Sequence, residues 1–130
     1  MKIALAILYL GEGEKWKGRG RLCLGSSDPD IIKLYLKSLR TCYDINEKKL
    51  RCRVGYRADQ NINELQKFWS KITKIPASQF YQTRIDPRTK GKKSIKRDYK
   101  GVCVIYYGSA EIQLELAIIA KLITNNGPVV

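Results

Sequence analysis

The sequence predicts an α+β domain in which helices cover one face of a mixed, mainly antiparallel sheet. Three observations predict it. Segments with apolar residues at helical spacing alternate with short segments whose character switches at every residue. The clearest of these, residues 49–57, sets Leu50, Cys52, Val54 and Tyr56 on one side and Arg51, Arg53 and Arg57 on the other. The order reads helix, strand, helix, strand, helix, two strands, helix, and 130 residues leave no room for a second core. Residues 1–130 are therefore expected to form a single domain that buries about two-thirds of its unfolded surface.

The first helix is an almost unbroken apolar run, residues 3–10, stopped by Gly11-Glu12-Gly13. It has no polar side, so it is expected to be buried all round, with a second copy covering what its own chain does not. No small-x-small cleavage site follows before the charged residues 14–17, so a signal peptide is not expected. Residues 19–26 read as a strand with Leu22 and Leu24 on one face and Arg19, Arg21 and Cys23 on the other. Ser27-Asp28-Pro29-Asp30 has the form of a helix start, capped by Ser27 or Asp28. Ile32, Tyr35, Leu36, Leu39 and Tyr43 line the inner side of that helix. After the arginine strand, in which a bulge at Gly55 is a second reading, Ile62, Leu65, Phe68, Trp69 and Ile72 define a third helix that stops before Pro76. Its aromatics are expected in the core. Residues 79–85 and 101–107 are expected to pair as strands of a long hairpin. Residues 109–125 form the last helix, with Ser109 as cap and Asn125-Asn126-Gly127-Pro128 at its end.

Charge narrows the function. With 25 Lys plus Arg against 12 Asp plus Glu, the formal charge is +13, which points to a polyanionic partner. Nucleic acid fits better than a membrane, because the basic residues lie on strands and loops and no basic amphipathic helix is present to lie in an interface. The expected contacts are Lys15, Lys17, Arg19 and Arg21 near the first strand, Arg51, Arg53 and Arg57 on the second, and residues 84–100. That last segment carries Arg84, Arg88, Lys90, Lys92, Lys93, Lys96, Arg97 and Lys100 against only Asp86 and Asp98. A solvated sheet face is the plainer reading of the strand, but three arginines without an acid favour contacts to phosphates and base edges. Arginine forks match the two acceptors of guanine in the major groove.

There is no histidine, and Cys23, Cys42, Cys52 and Cys103 contain no Cys-x-x-Cys spacing. A zinc site and a Ser-His or Cys-His nucleophile are thereby disfavoured. Cys52 and Cys103 fall in apolar strand patterns and read as buried reduced thiols of a cytosolic protein. Carboxylate with metal remains as the chemistry for hydrolysis. Two copies of the first helix would bring two Glu12 side chains together, and carboxylates so placed favour a hard divalent cation. An ordinary exposed turn glutamate is the plainer alternative.

Leu5-Ala6-Ile7-Leu8-Tyr9-Leu10-Gly11-Glu12-Gly13 resembles the motif that names the LAGLIDADG homing endonucleases. Glu12 falls on the motif's last acidic residue, while Ile7 stands in place of a glycine and Leu10 in place of the first acid. The following Glu14-Lys15 and the later Ser26-Ser27-Asp28-Pro29-Asp30 are similar to a small prokaryotic, single-motif branch of the family, and the likeness runs loosely over most of the chain. The resemblance implies a sheet that forms a DNA-binding saddle, a homodimer through Ala4, Leu5, Leu8 and Gly11, and Mg²⁺ or another divalent cation such as Mn²⁺ held at Glu12 and Gly11. It implies site-specific hydrolysis of double-stranded DNA at a long pseudo-palindromic site, by an often intron-encoded enzyme in a prokaryotic cytosol or an organelle. Asp28, Lys74 and Gln79 lie nearest to the family's supporting catalytic positions. The family usually has two strands between its first two helices; here residues 15–18 would have to supply the second. The alternative within the same fold is a DNA-binding regulator or an RNA-binding splicing cofactor without catalysis.

Overall fold

The computed structural model describes residues 2–12, 20–57, 59–82, 84–85 and 99–125. Within them the chain runs α1 (Lys2–Glu12), β1 (Arg21–Ser26), α2 (Pro29–Cys42), β2 (Arg51–Tyr56), α3 (Ile62–Thr73), β3 (Arg84–Ile85), β4 (Val102–Gly108) and α4 (Ala110–Asn125), with short 3₁₀ turns at Glu47–Lys49 and Ala77–Gln79. The order of elements is the one the periodicities predict. Residues 15–18, which would have to supply a further strand, lie outside the described residues.

Local chemistry explains the boundaries. Asp28 caps α2 by accepting the backbone N–H of Asp30 at 2.9 Å, with Pro29 in the first turn, where its missing N–H costs nothing. Asn61 caps α3 through the N–H groups of Asn63 and Glu64. At the other end of α3, Lys74 takes a left-handed φ of 60° and its N–H returns to Ser70. The Thr73 hydroxyl donates to the Trp69 carbonyl and accepts from Ile75 N–H, so the turn that follows is fixed from within.

The sheet order is β1-β4-β2-β3, with β4 antiparallel to both β1 and β2. Leu22, Leu24, Cys52, Val54, Cys103, Ile105 and Tyr107 alternate onto one face and are buried with Ile32, Tyr35, Leu36 and Leu39 of α2, Leu65 and Trp69 of α3, and Ile112 and Leu116 of α4. Each such large apolar side chain contributes about 1.5–3 kcal/mol of burial. The aromatics of α3 are thus core groups, Trp69 fully buried and Phe68 partly so.

Three expectations are corrected. Residues 79–85 do not pair with β4: both edges of β4 are taken, by β1 and β2. This stretch instead opens with a 3₁₀ turn and then runs parallel along the far side of β2, bridging Cys52 with Phe80 and pairing Gly55 with Arg84. Gly55 is no bulge, since it pairs in register with Val102; the lack of a side chain at Gly101 admits the close approach of the Gly55 carbonyl. Finally, α1 is not uniformly in need of a partner. Leu5, Ala6 and Tyr9 enter the chain's own core, Leu5 with 0% exposure, so Leu5 is not available to a dimer interface. Leu8 is half-buried against the same core, whereas Ala4 and Gly11 are exposed.

Candidate nucleic-acid interface and the end of the first helix

The face of the sheet turned away from the helices collects Arg21 from β1, Arg51 and Arg53 from β2 and Tyr106 from β4, because register sets Arg51 opposite Tyr106 and Arg53 opposite Val104. Tyr81, just before β3, joins them. The Arg21 guanidinium lies 4.8 Å from the centre of the Tyr106 ring, and that of Arg53 lies 5.2 Å from Tyr81 and 5.8 Å from Tyr106. The two rings meet edge to face at 5.4 Å. The Arg53 Nε–H is shielded by the protein and has no hydrogen-bond partner among the described residues.

The other predicted contacts are placed unequally. Arg51 turns back on its own backbone and donates Nη1 to the carbonyls of Lys48 at 2.6 Å and Leu50 at 2.9 Å. Arg57 lies past the end of β2, 3.5 Å from Asp59. The Lys100 ammonium sits 5.7 Å from the Phe68 ring, which puts it beside α3. The carbonyls of Tyr99 and Lys100 accept from Gln60 and from the Trp69 indole N–H at 2.6 and 2.7 Å, anchoring the entry to β4. Arg84 is described only as backbone of β3. Lys15, Lys17, Arg19, Arg88, Lys90, Lys92, Lys93, Lys96 and Arg97 lie outside the described residues.

The second feature is the end of α1. Its outward side carries Ile3 at 62% exposure and Ile7 at 52%, and a side-chain carbon added at Gly11 would meet nothing within 4 Å among the described residues. Glu12 is the last helical residue, and no basic residue stands in the final turn. The last carbonyls, which have no partner within the helix, and the negative end of the helix dipole there favour a cation. Carbonyl oxygen and carboxylate are the ligand types a hard divalent ion takes, so Gly11 and Glu12 fit Mg²⁺ by donor chemistry. One chain supplies only part of a coordination shell: among the described residues no group of three or more His, Cys, Asp or Glu could hold a metal.

The supporting residues are not gathered around that end by any contact among the described side chains. Asp28 spends Oδ1 on capping α2. Gln79 donates Nε2 to the carbonyls of Glu47 at 2.9 Å and Leu50 at 2.7 Å. It therefore belongs to a structural corner, where Arg40 also pairs with Glu47 at 2.8 Å and reaches the Thr73 carbonyl. Lys74 is exposed at the end of α3. Cys52 and Cys103 are reduced thiols with sulfurs 3.1 Å apart between the central strands. Their mutual hydrogen bond and burial push the Cys103 thiol far up, which makes it a poor nucleophile.

The residues that sequence reasoning missed are Tyr81 and Tyr106. Alternation within residues 101–107 puts Tyr106 opposite in sense to Cys103, Ile105 and Tyr107, a signal that was legible. Its neighbours became visible only with the strand register. No helix among the described residues is long and apolar enough to cross a membrane. Comparisons with protein-family models, with curated proteins and with solved structures find no match to this chain.

Proposed function

We propose that the chain is a homodimeric, divalent-metal-dependent DNA endonuclease of the LAGLIDADG type, hydrolysing phosphodiester bonds within a long, roughly two-fold-symmetric site. The observation that carries this reading is the outward side of α1: an apolar strip of Ile3 and Ile7 that continues to an open Gly11 and ends on Glu12. A second copy laid along that strip covers the apolar surface and brings two Glu12 carboxylates to one place. The metal bound there supplies a polarised phosphate and an acidified water. The chain's own part is to hold the cation with Glu12 and the last carbonyls of α1, and to lay the duplex across the arginine face of the sheet as a saddle. The net charge of +13 supports a polyanionic substrate.

The test is Glu12→Gln, which preserves shape and removes charge. A pool of randomised duplexes incubated with Mg²⁺, with cleaved ends captured and sequenced, gives the target and the rate. Cleavage is expected to fall by at least about 100-fold, as for loss of an essential ligand or donor. Affinity for the same duplex stays level or rises, since negative charge near phosphate is lost. A variant that cuts at the parent's rate removes Glu12 from the active site.

A second reading, a regulator or RNA-binding splicing cofactor on the same fold, is favoured by Ile7 and Leu10 at motif positions and by the structural employment of Asp28 and Gln79. Sequence-specific binding with no cut in Mg²⁺ or Mn²⁺ would establish it.

A further inference from the structure

The two tyrosines on the open face are not explained by charge or by the chemistry at the end of α1. An arginine on a solvent-facing strand ordinarily samples many rotamers, and most of that freedom is lost when it binds a base. Here two of them are already held. Arg21 packs on the Tyr106 ring from one neighbouring strand, and Arg53 packs on both Tyr106 and Tyr81 from the other side. The rings brace each other edge to face. A guanidinium held against a ring keeps its outer N–H groups for acceptors in its own plane. Arg51 takes no part, because its Nη1 serves the Lys48 and Leu50 carbonyls.

We infer that Tyr106, braced by Tyr81, is a specificity-positioning residue: it fixes Arg21 and Arg53 in direction before DNA arrives and joins them into one reader of base edges. The inference rests on the DNA-binding reading above. The side chain is uncharged and releases no counterion, so its loss acts on discrimination between sequences and leaves the salt dependence of binding alone.

The test uses Tyr106→Phe, Tyr106→Leu and Tyr81→Leu in the full chain. In the free protein, the Nε–H resonances of Arg21 and Arg53 are expected to be shifted upfield by the rings. Phe at 106 keeps both shifts, Leu at 106 loses that of Arg21 and reduces that of Arg53, and Leu at 81 reduces that of Arg53 while sparing that of Arg21. On the duplex selected by the parent from a randomised pool, discrimination against single-base changes at the contacted pairs falls roughly 5- to 150-fold in Tyr106→Leu, the range of one good base contact. It is retained in Tyr106→Phe, and the salt slope is unchanged in both. Unshifted arginine resonances in the free parent overturn the inference, whatever the DNA result. So does undiminished discrimination in Tyr106→Leu. A parent that binds no duplex overturns the DNA reading and the specificity claim with it, and the parent measurement alone identifies that outcome. Should Tyr106→Leu fail to fold, Tyr81→Leu carries the test through Arg53, expected to lose discrimination at one contact only.

Discussion

Gly11→Leu separates the fold of one chain from its association with a second, because the two respond with opposite sign. Gly11 is helical, near the end of α1, and the space where its side chain would go is open among the described residues of the single chain. Leucine there removes the conformational freedom that glycine gives the unfolded chain, and a helical glycine costs up to about 0.5–1 kcal/mol. The isolated chain should therefore hold its stability or gain a few tenths of a kcal/mol. In the proposed dimer two such leucines, one from each copy, meet where the helices approach. Each overpacked insertion costs about 1–3 kcal/mol, hence about 2–6 kcal/mol for the pair. The dissociation constant would rise by roughly 30-fold to 10⁴-fold. Sedimentation over a concentration series measures the second effect and urea unfolding the first. An unchanged dimer would refute the placing of Gly11 at the contact. Loss of more than about 1 kcal/mol from the monomer would refute the claim that its own chain leaves this space open. A parent that is monomeric both alone and on DNA ends the dimer reading altogether.

Two further outcomes follow from charge and from backbone geometry. If roughly 6 to 10 phosphates are neutralised, DNA affinity should fall by about 10³ to 10⁵ between 50 and 200 mM salt, and replacing Lys92, Lys93, Lys96 and Arg97 together with alanine should flatten that slope. An unaltered slope, read by fluorescence anisotropy, would put those residues off the DNA. Gly101 has a φ of +78°, and a side-chain carbon there would collide with the Gly55 carbonyl oxygen of the adjacent strand. Gly101→Ala combines a left-handed penalty of about 1–2 kcal/mol with an overpacking cost of about 1–3 kcal/mol. A melting decrease on the order of 10 °C is expected; a change of a degree or two would show that the strands part easily.

The order of helices and strands was legible because each element declares its own period. What failed was information carried between elements. Residues 79–85 alternate acceptably beside either β2 or β4, and only the occupation of both edges of β4 decides it. In α1 an apolar residue at every position erases the periodic sign of which side faces inward, so Leu5 and Ile7 looked equivalent although one is core and the other exposed. Asp28 and Gln79 are polar residues at element ends, where capping and catalysis leave the same trace in a sequence. Their hydrogen bonds separate the two. The pairing of Arg21 and Arg53 through Tyr106 depends on cross-strand register, a quantity that no single segment contains.

The hydrogen bond from the Trp69 indole to the Lys100 carbonyl has a consequence in optical terms. The chain has two tryptophans, and Trp16 lies outside the described residues. With Trp16 replaced by phenylalanine, all indole emission comes from a ring that is wholly buried and hydrogen-bonded to the last residue of the basic segment. Indole emission depends on the polarity around the N–H, so displacement of that carbonyl changes colour and intensity without any added label. The molecule thus carries a native fluorophore at the joint between its core and its most densely charged stretch, on the far side of the sheet from the arginine face.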